Sequence, residues 1–236
     1  MNTEITLPKN EAARRKRARI GELLSETIPP IACLLLGTAY VICALATGYD
    51  LIIGLEVVVS NAVLVALVAT GATFIFTSGS FDLSLGSNML VSALFAGLVG
   101  RATGILILIP IVAVGTAVVL SVTNSVLASF FNLPVFIMTV VMMNVYSSAA
   151  TLIITSFGEN AAVSVPMTLV SPLNNTLFRV ILLTAFEAFS CFVFYLTKLG
   201  RRQKFLGGNR ECAYLSGINA KGLTILSFAL AGIGIG

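Results

Sequence analysis

Long apolar stretches, separated by short polar intervals, make up most of this chain. A membrane-spanning helix needs about 17–25 apolar residues, and six stretches meet this length: 28–48, 55–77, 83–99, 105–129, 135–156 and 176–197. Residues 223–236 begin a seventh. At about 1.5 Å per residue this last stretch is too short for a hydrocarbon core of roughly 30 Å. The pattern predicts an all-α integral membrane protein, a multi-span helical bundle with about six full spans plus the start of a seventh.

The polar intervals divide the chain into four parts. We expect a basic N-terminal tail over 1–27, the bundle over 28–197, a polar loop over 198–222 and a further span from 223. Within the loop, Gly207-Gly208-Asn209 predicts a turn. Asn209 can cap a short helix over Arg210–Ser216, with Glu211 in its first turn and Gly217 after its end. Such a helix either lies on the membrane surface or docks on a partner.

Composition supports a membrane protein. The chain is 57% hydrophobic and 10% charged, with a mean hydropathy of +1.01, whereas soluble domains carry about 25% charged residues. The net charge of +4 by itself is compatible with nucleic acid binding. However, the cations cluster beside apolar blocks, which is typical of membrane orientation and not of a basic face that binds nucleic acid. The same clusters predict contact with membrane lipid.

The distribution of cations predicts the topology. Of 14 Lys and Arg residues, six precede the first span, six lie in 198–221, and Arg101 and Arg179 lie between. Positive charge favours the cytoplasmic side, so an even number of spans must separate the two clusters. Six spans satisfy this and place the N-terminus in the cytoplasm. A cleaved signal peptide is the alternative for the leader, but the apolar run after it is longer than the usual 7–15 residues.

Few residues are suited to catalysis or metal binding. The chain has no His, and its four Cys show no CxxC spacing, so we expect neither a metal site nor a disulfide framework. A phosphate-binding GxxxxGK[ST] motif is missing from the sequence, so ATP hydrolysis by that motif is not expected here. An intramembrane enzyme remains an alternative, but it would lack an evident acid–base pair. We therefore assign no catalytic residue, metal or cofactor.

Two places in the apolar sequence carry polar groups that suggest a substrate path. The segment 77–87 contains Ser80, Asp82 and Ser84, with Asp82 placed to cap a helix that begins at Leu83. Interrupted helices of this kind often mark transport sites, although an ordinary capped turn between two spans would look the same. Glu187 lies within the sixth apolar stretch. An ionisable residue there indicates function by default, and a structural role is the alternative.

Three blocks of the sequence resemble the permease subunits of bacterial ATP-binding-cassette importers for simple sugars, the ribose-type permeases. Residues 78–87, SGSFDLSLGS, are similar to the family's GGIDLSVGS segment, and LPVFIMT at 133–139 is similar to its PxFIxTL segment. The third block is LGR at 199–201 with GGN at 207–209 and LSGIN at 215–219. This chain departs from the family pattern at Ser80, which replaces a glycine, and at Phe81, which replaces a smaller aliphatic residue.

The resemblance implies a permease of the bacterial inner membrane that translocates a monosaccharide and is not itself an enzyme. It implies three partners: a cytoplasmic ATP-binding subunit, a periplasmic sugar-binding protein and a second permease chain, identical or different. It also implies that the loop docks on the ATP-binding subunit, and that family members have further spans. A truncated, non-functional or regulatory permease fragment is therefore the alternative. The candidate coupling residues are Gly207, Gly208, Asn209, Glu211, Ser216 and Gly217.

Overall fold

The computed structural model of the protein describes residues 9–48, 50–157, 163–173 and 175–236, with side chains from residue 27 onward. Throughout these ranges the regular structure is helical, without strands. The helices are α1 (Lys9–Thr47), α2 (Leu51–Thr77), α3 (Leu85–Thr103), α4 (Leu108–Phe130), α5 (Val135–Phe157), α6 (Met167–Val170), α7 (Thr176–Cys191), a π-helical turn (Phe192–Leu196), α8 (Lys198–Gly208), α9 (Arg210–Leu215) and α10 (Ala220–Ile235).

The predicted spans agree closely with the helices. Within the described residues, six helical segments are long and apolar enough to cross a membrane, and α10 is a shorter apolar helix. The all-α, multi-span fold class is confirmed. The first 27 residues differ from a simple tail, because α1 already begins at Lys9 and continues through Pro29 and Pro30. The basic residues of α1 therefore lie on a helical extension of the first span.

The chain divides into two compact units. The first, residues 1–58, contains α1 and the first residues of α2, and the second, residues 59–236, contains everything that follows. The three segments that carry the family-like motifs all lie in the second unit. The site is therefore described within this unit alone.

The interior of the second unit contains many polar and small side chains beside large apolar ones, and many other large apolar side chains face outward. Asn88, Ser121 and Asn124 are fully buried, whereas Ile111 and Leu152 are exposed. In water this arrangement would be unfavourable. In a bilayer it is expected, because hydrocarbon solvates apolar side chains and helix contact depends on close packing and interhelical hydrogen bonds.

Helix α10 lies against both α4 and α2, and glycines make the contacts possible. A Cβ built on Gly232 would lie 2.6 Å from the Val118 Cα of α4. A Cβ on Gly71 of α2 would lie 2.8 Å from the Ala231 carbonyl oxygen of α10. Small residues allow helices to approach this closely in membranes. The predicted compact bundle is therefore held together partly by α10, the shortest of the apolar segments.

The polar loop is more ordered than the sequence predicts. Residues 198–208 form α8, so Gly207 and Gly208 are helical and the predicted turn at Gly207-Gly208-Asn209 is wrong for its first two residues. The chain leaves the helix at Asn209, which is extended with φ −154° and ψ 108°. The Thr197 side chain accepts a hydrogen bond from the backbone N–H of Gly200 at the start of α8. In the sequence, two adjacent glycines favour a turn. In the structure, the helix that this cap begins continues through both of them.

Candidate functional site

Three connections meet at one end of the second unit: the α2–α3 loop (78–84), the α4–α5 loop (131–134) and the α8–α9–α10 segment. The Leu83 backbone N–H donates to Thr139 Oγ1 of α5 at 3.3 Å. The Lys221 ammonium of α10 donates to the Ser129 carbonyl at 3.2 Å and to Asn132 Oδ1 at 3.1 Å. These are the three segments that carry the family-like motifs, and the fold brings them together although they are far apart in sequence.

Helix α8 touches the α2–α3 loop directly. Gly79 has φ +75°, a conformation that glycine adopts without strain, and a Cβ on Gly79 would lie 3.2 Å from the Gly207 Cα. A Cβ on Gly207 would collide with the Thr77 carbonyl oxygen and lie 3.1 Å from the Gly79 nitrogen. The same helix is joined to α10, since the buried Gln203 donates to Ser227 Oγ at 2.8 Å. Movement of α8 would therefore displace both the α2–α3 loop and α10.

Asp82 is the centre of a buried polar network at this end. Its side chain is 4% exposed, and Oδ1 accepts from the backbone N–H and the hydroxyl of Ser84, each at 2.7 Å. Ser84 Oγ in turn accepts from Asn124 Nδ2 of α4 at 2.7 Å. Ser80 is buried beside this network, at 5% exposure. The predicted residues Ser80, Asp82 and Ser84 are thus neighbours in the interior and not part of a surface turn.

The predicted capping role of Asp82 is wrong. Helix α3 begins at Leu85 with Ser84 as its N-cap residue, and Asp82 instead bonds two residues ahead, in the manner of an Asx turn. Burial raises the pKa of the Asp82 carboxyl, and the hydrogen bonds from Ser84 oppose this shift. Its second oxygen, Oδ2, is buried without a hydrogen-bond partner among the described residues. Asp82 therefore retains one unsatisfied acceptor in a polar interior.

The network continues through residues that the sequence interpretation missed. The Tyr146 hydroxyl of α5 lies 2.8 Å from Asn124 Oδ1 and 2.9 Å from the Leu120 carbonyl, and its one proton is available to either acceptor. One turn along α3, Asn88 donates to Ser121 Oγ at 2.8 Å. The asparagines could have indicated this network from the sequence, because polar side chains within apolar spans form hydrogen bonds between helices. The network links α3, α4 and α5 to the α2–α3 loop.

The short helix in the polar loop is confirmed. Helix α9 covers Arg210–Leu215, and Asn209 Oδ1 accepts from the Cys212 backbone N–H at 3.0 Å. At its end, the N–H groups of Gly217 and Ile218 donate to the Tyr214 and Ala213 carbonyls, each at 3.0 Å, which is a Schellman motif. Gly217 has φ +74°. Both ends of α9 are therefore satisfied by its own sequence, which explains why the prediction succeeded.

One face of α9 is unusually exposed. Ala213 is fully buried, while Tyr214 and Leu215 are 77% and 82% exposed. Glu211 is exposed, and the Ser216 hydroxyl donates back to the Cys212 carbonyl at 2.8 Å. Beside this face lies a cavity of about 950 Å³, lined by residues of α4, the α4–α5 loop, α9 and the start of α10. Helix α9 is therefore fixed to the bundle on one side and open on the other.

Glu187 lies elsewhere. It is exposed on α7, and its Oε1 accepts from Thr70 Oγ1 of α2 at 2.5 Å. Around it is an open groove of about 480 Å³ between α2, α7 and the π-helical turn. Among the described residues, no hydrogen bond joins Glu187 to the Asp82 network. The four predicted path residues are therefore separated: Asp82 and Ser84 belong to the network, Ser80 is buried beside it, and Glu187 lies in the groove.

Metal binding has no support in this geometry. Throughout the described ranges, no three Cys, Asp or Glu residues are grouped closely enough to hold an ion. The four cysteines are free and exposed. The arrangement offers instead a buried polar network, an open groove and a short helix with an exposed face.

Comparison with known proteins places this arrangement among transporters. A family model described as the permease component of branched-chain amino acid transport systems matches residues 54–236. The chain is 29% identical over 182 residues to the ribose import permease protein RbsC of Escherichia coli (strain K12), covering 71% of this chain and 54% of that protein. It is also 29% identical over 180 residues to RbsC of Haemophilus influenzae, covering 71% and 53%.

The chain spans about half the length of these curated relatives. No solved structure matches the chain. The match to the family model covers every helix from α3 to α10 entirely. It thus includes the whole candidate site.

Proposed function

Because this chain belongs to the family of permease components of branched-chain amino acid transport systems, we propose that it is a transmembrane permease subunit of an ATP-driven importer. We propose a monosaccharide such as ribose as the solute, since the relatives named above are ribose import permeases. The chain itself provides the membrane path, and ATP hydrolysis takes place on a separate cytoplasmic subunit. A periplasmic binding protein delivers the solute, and a second permease chain completes the path in the inner membrane.

One observation supports this function above the others: the contact between Gly207 of α8 and the α2–α3 loop. A coupling segment must have an open face for its partner and a rigid attachment to the spans. Helix α9 has the open face, at Tyr214 and Leu215. Helix α8 and Lys221 provide the attachment, to the α2–α3 loop and to the α4–α5 loop respectively.

The mechanism follows from this attachment. When the ATP-binding subunits close, they displace α9 and, through α8, the α2–α3 loop that precedes α3. The buried network then passes the displacement from Asp82 and Ser84 to α4 and α5. ATP can shift the spans between outward-open and inward-open states only by interacting differently with the two states. The N-terminus and the α8–α9 segment lie in the cytoplasm, as the positive-inside rule requires.

ATP-dependent uptake tests the proposed function. The full chain is reconstituted in proteoliposomes with the proposed ATP-binding subunit and the proposed sugar-binding protein. Uptake of labelled D-ribose is then compared with uptake of labelled L-leucine. We expect ribose uptake that requires ATP. Leucine uptake without ribose uptake would overturn the sugar assignment, and no uptake of either would overturn the import function.

The coupling role has a separate test in the matched substitutions Leu215→Ala and Leu152→Ala. Both leucines are exposed, at 82% on α9 and 66% on α5, but only the first lies on the proposed docking face. Leu215→Ala should weaken association with the ATP-binding subunit and lower uptake, and Leu152→Ala should leave both unchanged. The same loss is expected for Gly208→Val and Glu211→Gln. If all three α9-region variants associate and transport normally, the coupling role is wrong.

A further inference from the structure

The groove beside Glu187 carries several polar side chains in a part of the chain where the neighbouring residues are apolar. Helix α2 contributes Thr70, Thr73 and Thr77, which are spaced by three and four residues and so share one helix face. Helix α7 contributes Glu187 and Ser190, and the π-helical turn contributes Tyr195. Mid-span polar residues that face hydrocarbon are unfavourable. This face is therefore built to contact water or a polar solute.

Its hydrogen-bonding groups are only partly used. The Thr70 hydroxyl has one proton and two acceptors within reach, the Ala66 carbonyl at 2.8 Å and Glu187 Oε1 at 2.5 Å. Ser190 lines the groove and is 3% exposed, yet its hydroxyl has no partner among the described residues. A buried hydroxyl without a partner is uncommon and requires an explanation. A bound solute would supply that partner.

The chemistry of the groove suits a neutral solute with several hydroxyl groups. A carboxylate accepts hydrogen bonds from hydroxyls, and the Thr and Ser hydroxyls both donate and accept. Phe194 and Tyr195 add aromatic surface for the C–H faces of such a solute. The volume of about 480 Å³ falls in the range of small-molecule sites, roughly 300–1,000 Å³.

An α-amino acid fits this groove less well. Its ammonium and carboxylate are attached to the same carbon, so it needs an anion and a cation side by side. Glu187 supplies the anion, but the cation of the groove, Lys204, lies 4.4 Å above the Tyr195 ring. Lys204 is therefore already engaged with an aromatic ring, so it is less free to pair with the carboxylate of an amino acid.

We infer that the groove lined by Thr70, Glu187 and Ser190 is a contact site for the transported solute, and that it selects a neutral polyhydroxyl solute of pentose size over an amino acid. This inference rests on the proposed function, since it concerns the solute that the permease moves. The Glu187 carboxylate accepts from solute hydroxyls, the Ser190 hydroxyl gains its missing partner, and the Thr70 hydroxyl orients the carboxylate. Asp82, in the separate network, has no part in this contact.

Cys191 provides a direct probe, because it lines the groove and is exposed. In a full-length variant with Cys33→Ser, Cys43→Ser and Cys212→Ser, only Cys191 remains to react with a charged methanethiosulfonate reagent. The thiolate is the reacting form, so a cysteine in hydrocarbon should react very slowly. We expect measurable modification in proteoliposomes without ATP. D-ribose should slow it at least about threefold, and L-leucine at the same concentration should not.

Two substitutions in this background show whether the groove itself binds the sugar. Thr70→Val and Glu187→Gln should abolish the protection by D-ribose. Thr155→Val is the matched control, since Thr155 is an exposed threonine of α5 whose hydroxyl bonds its own helix. It should preserve the protection. A circular dichroism spectrum of each variant, compared with wild type, shows whether the variant has kept its helix content and is folded.

The outcomes separate this inference from the proposed function. A Cys191 that the reagent cannot reach would mean that another helix or lipid covers the groove, and the inference would be overturned. Equal rates with and without D-ribose, or protection by leucine, would also overturn it. If wild-type vesicles still import ribose in those cases, the import function stands without this site. Protection by ribose in a protein that imports nothing would leave a sugar site and remove the import function.

Discussion

At the scale of single residues, the site depends on buried polar groups whose partners come from distant parts of the chain. Asp82, Ser84 and Asn124 illustrate this: the first two are two positions apart in sequence, but the third joins them from α4. Such a network is favourable only when its members are satisfied. The unsatisfied Oδ2 of Asp82 is therefore its weakest point, and titration of this carboxyl should affect stability.

Substitution of Asp82 by Asn should change how stability depends on pH. Burial raises the folded-state pKa of this carboxyl above the ordinary 3.8. A group with a raised pKa stabilises the fold at low pH, and this contribution is lost as the pH rises through the folded-state value. The amide introduced by Asp82→Asn does not titrate. The melting temperature of this variant minus that of wild type should therefore increase as the pH is raised from about 4 to about 7.5.

Asp82→Ala is the control for this experiment. It removes the acceptor for Ser84 and should destabilise the protein by about 1–3 kcal/mol. Thermal unfolding in detergent, followed by circular dichroism across this pH range, measures both variants. A difference between Asp82→Asn and wild type that stays constant with pH would show that the carboxyl does not titrate in this range.

Gly207 should tolerate no side chain. A Cβ there would collide with the Thr77 carbonyl oxygen, and overpacking of this kind costs about 1–3 kcal/mol. Gly207→Ala should therefore lower the melting temperature. Gly208→Ala is the matched control, because nothing lies within 4 Å of its Cβ position, and its change should remain within about 0.5 kcal/mol. Similar melting temperatures for the two variants would contradict the close approach of α8 to the α2–α3 loop.

At the scale of elements, short helices and loops position the longer spans. Helix α9 has only six residues, which is too short for stability by itself. It is held by the Asn209 cap, by the Schellman motif at Gly217 and by the burial of Ala213 against Leu206 and Leu223. The two end interactions are local, so they can be changed without affecting the spans.

Removal of the Asn209 cap should loosen α9 selectively. Asn209→Ala deletes the acceptor for the Cys212 N–H, a loss of about 1 kcal/mol. Hydrogen exchange measured by mass spectrometry should become faster in peptides from residues 210–218 and remain unchanged in α10. Asn209→Asp keeps an acceptor at the same position and should behave like wild type. Equal acceleration in both variants would show that the cap does not hold the helix.

At the scale of the whole molecule, charge distribution and helix number together give a topology. Six apolar helical segments separate the two cationic clusters. The α2–α3 and α4–α5 loops meet the α8–α9 segment at one end of the second unit, as an even number of spans between the clusters would require. We propose that this end lies in the cytoplasm, because the positive-inside rule favours cationic clusters on that side.

Reporter fusions test this orientation. Alkaline phosphatase is active only outside the cytoplasm, and green fluorescent protein exported in unfolded form does not fluoresce. A phosphatase fusion at Pro172, between α6 and α7, should be active, and a fluorescent fusion at Asn209 should be bright. The reciprocal fusions serve as controls and should be silent. Activity of phosphatase at Asn209 would invert the topology and remove the proposed contact with a cytoplasmic ATP-binding subunit.

The sequence by itself determined the features that depend on short-range pattern. The six spans follow from the length of their apolar runs, the ends of α9 follow from Asn209 and Gly217, and the family follows from three motif blocks. Each of these features can be recognised from residues that are close together in the sequence. The apolar length needed to cross a bilayer is likewise a property of one segment.

Only the tertiary structure decided which residues meet. Asp82 was expected to cap a helix but bonds Ser84, in a network completed by Asn124 and Tyr146 from other spans. Glu187, grouped with Asp82 by chemistry, instead pairs with Thr70 in a separate groove. Gly207 was expected in a turn, yet it is helical and packs on the α2–α3 loop. These contacts join residues up to 130 positions apart, as Thr77 and Gly207 show, and no local propensity encodes a distance of that kind.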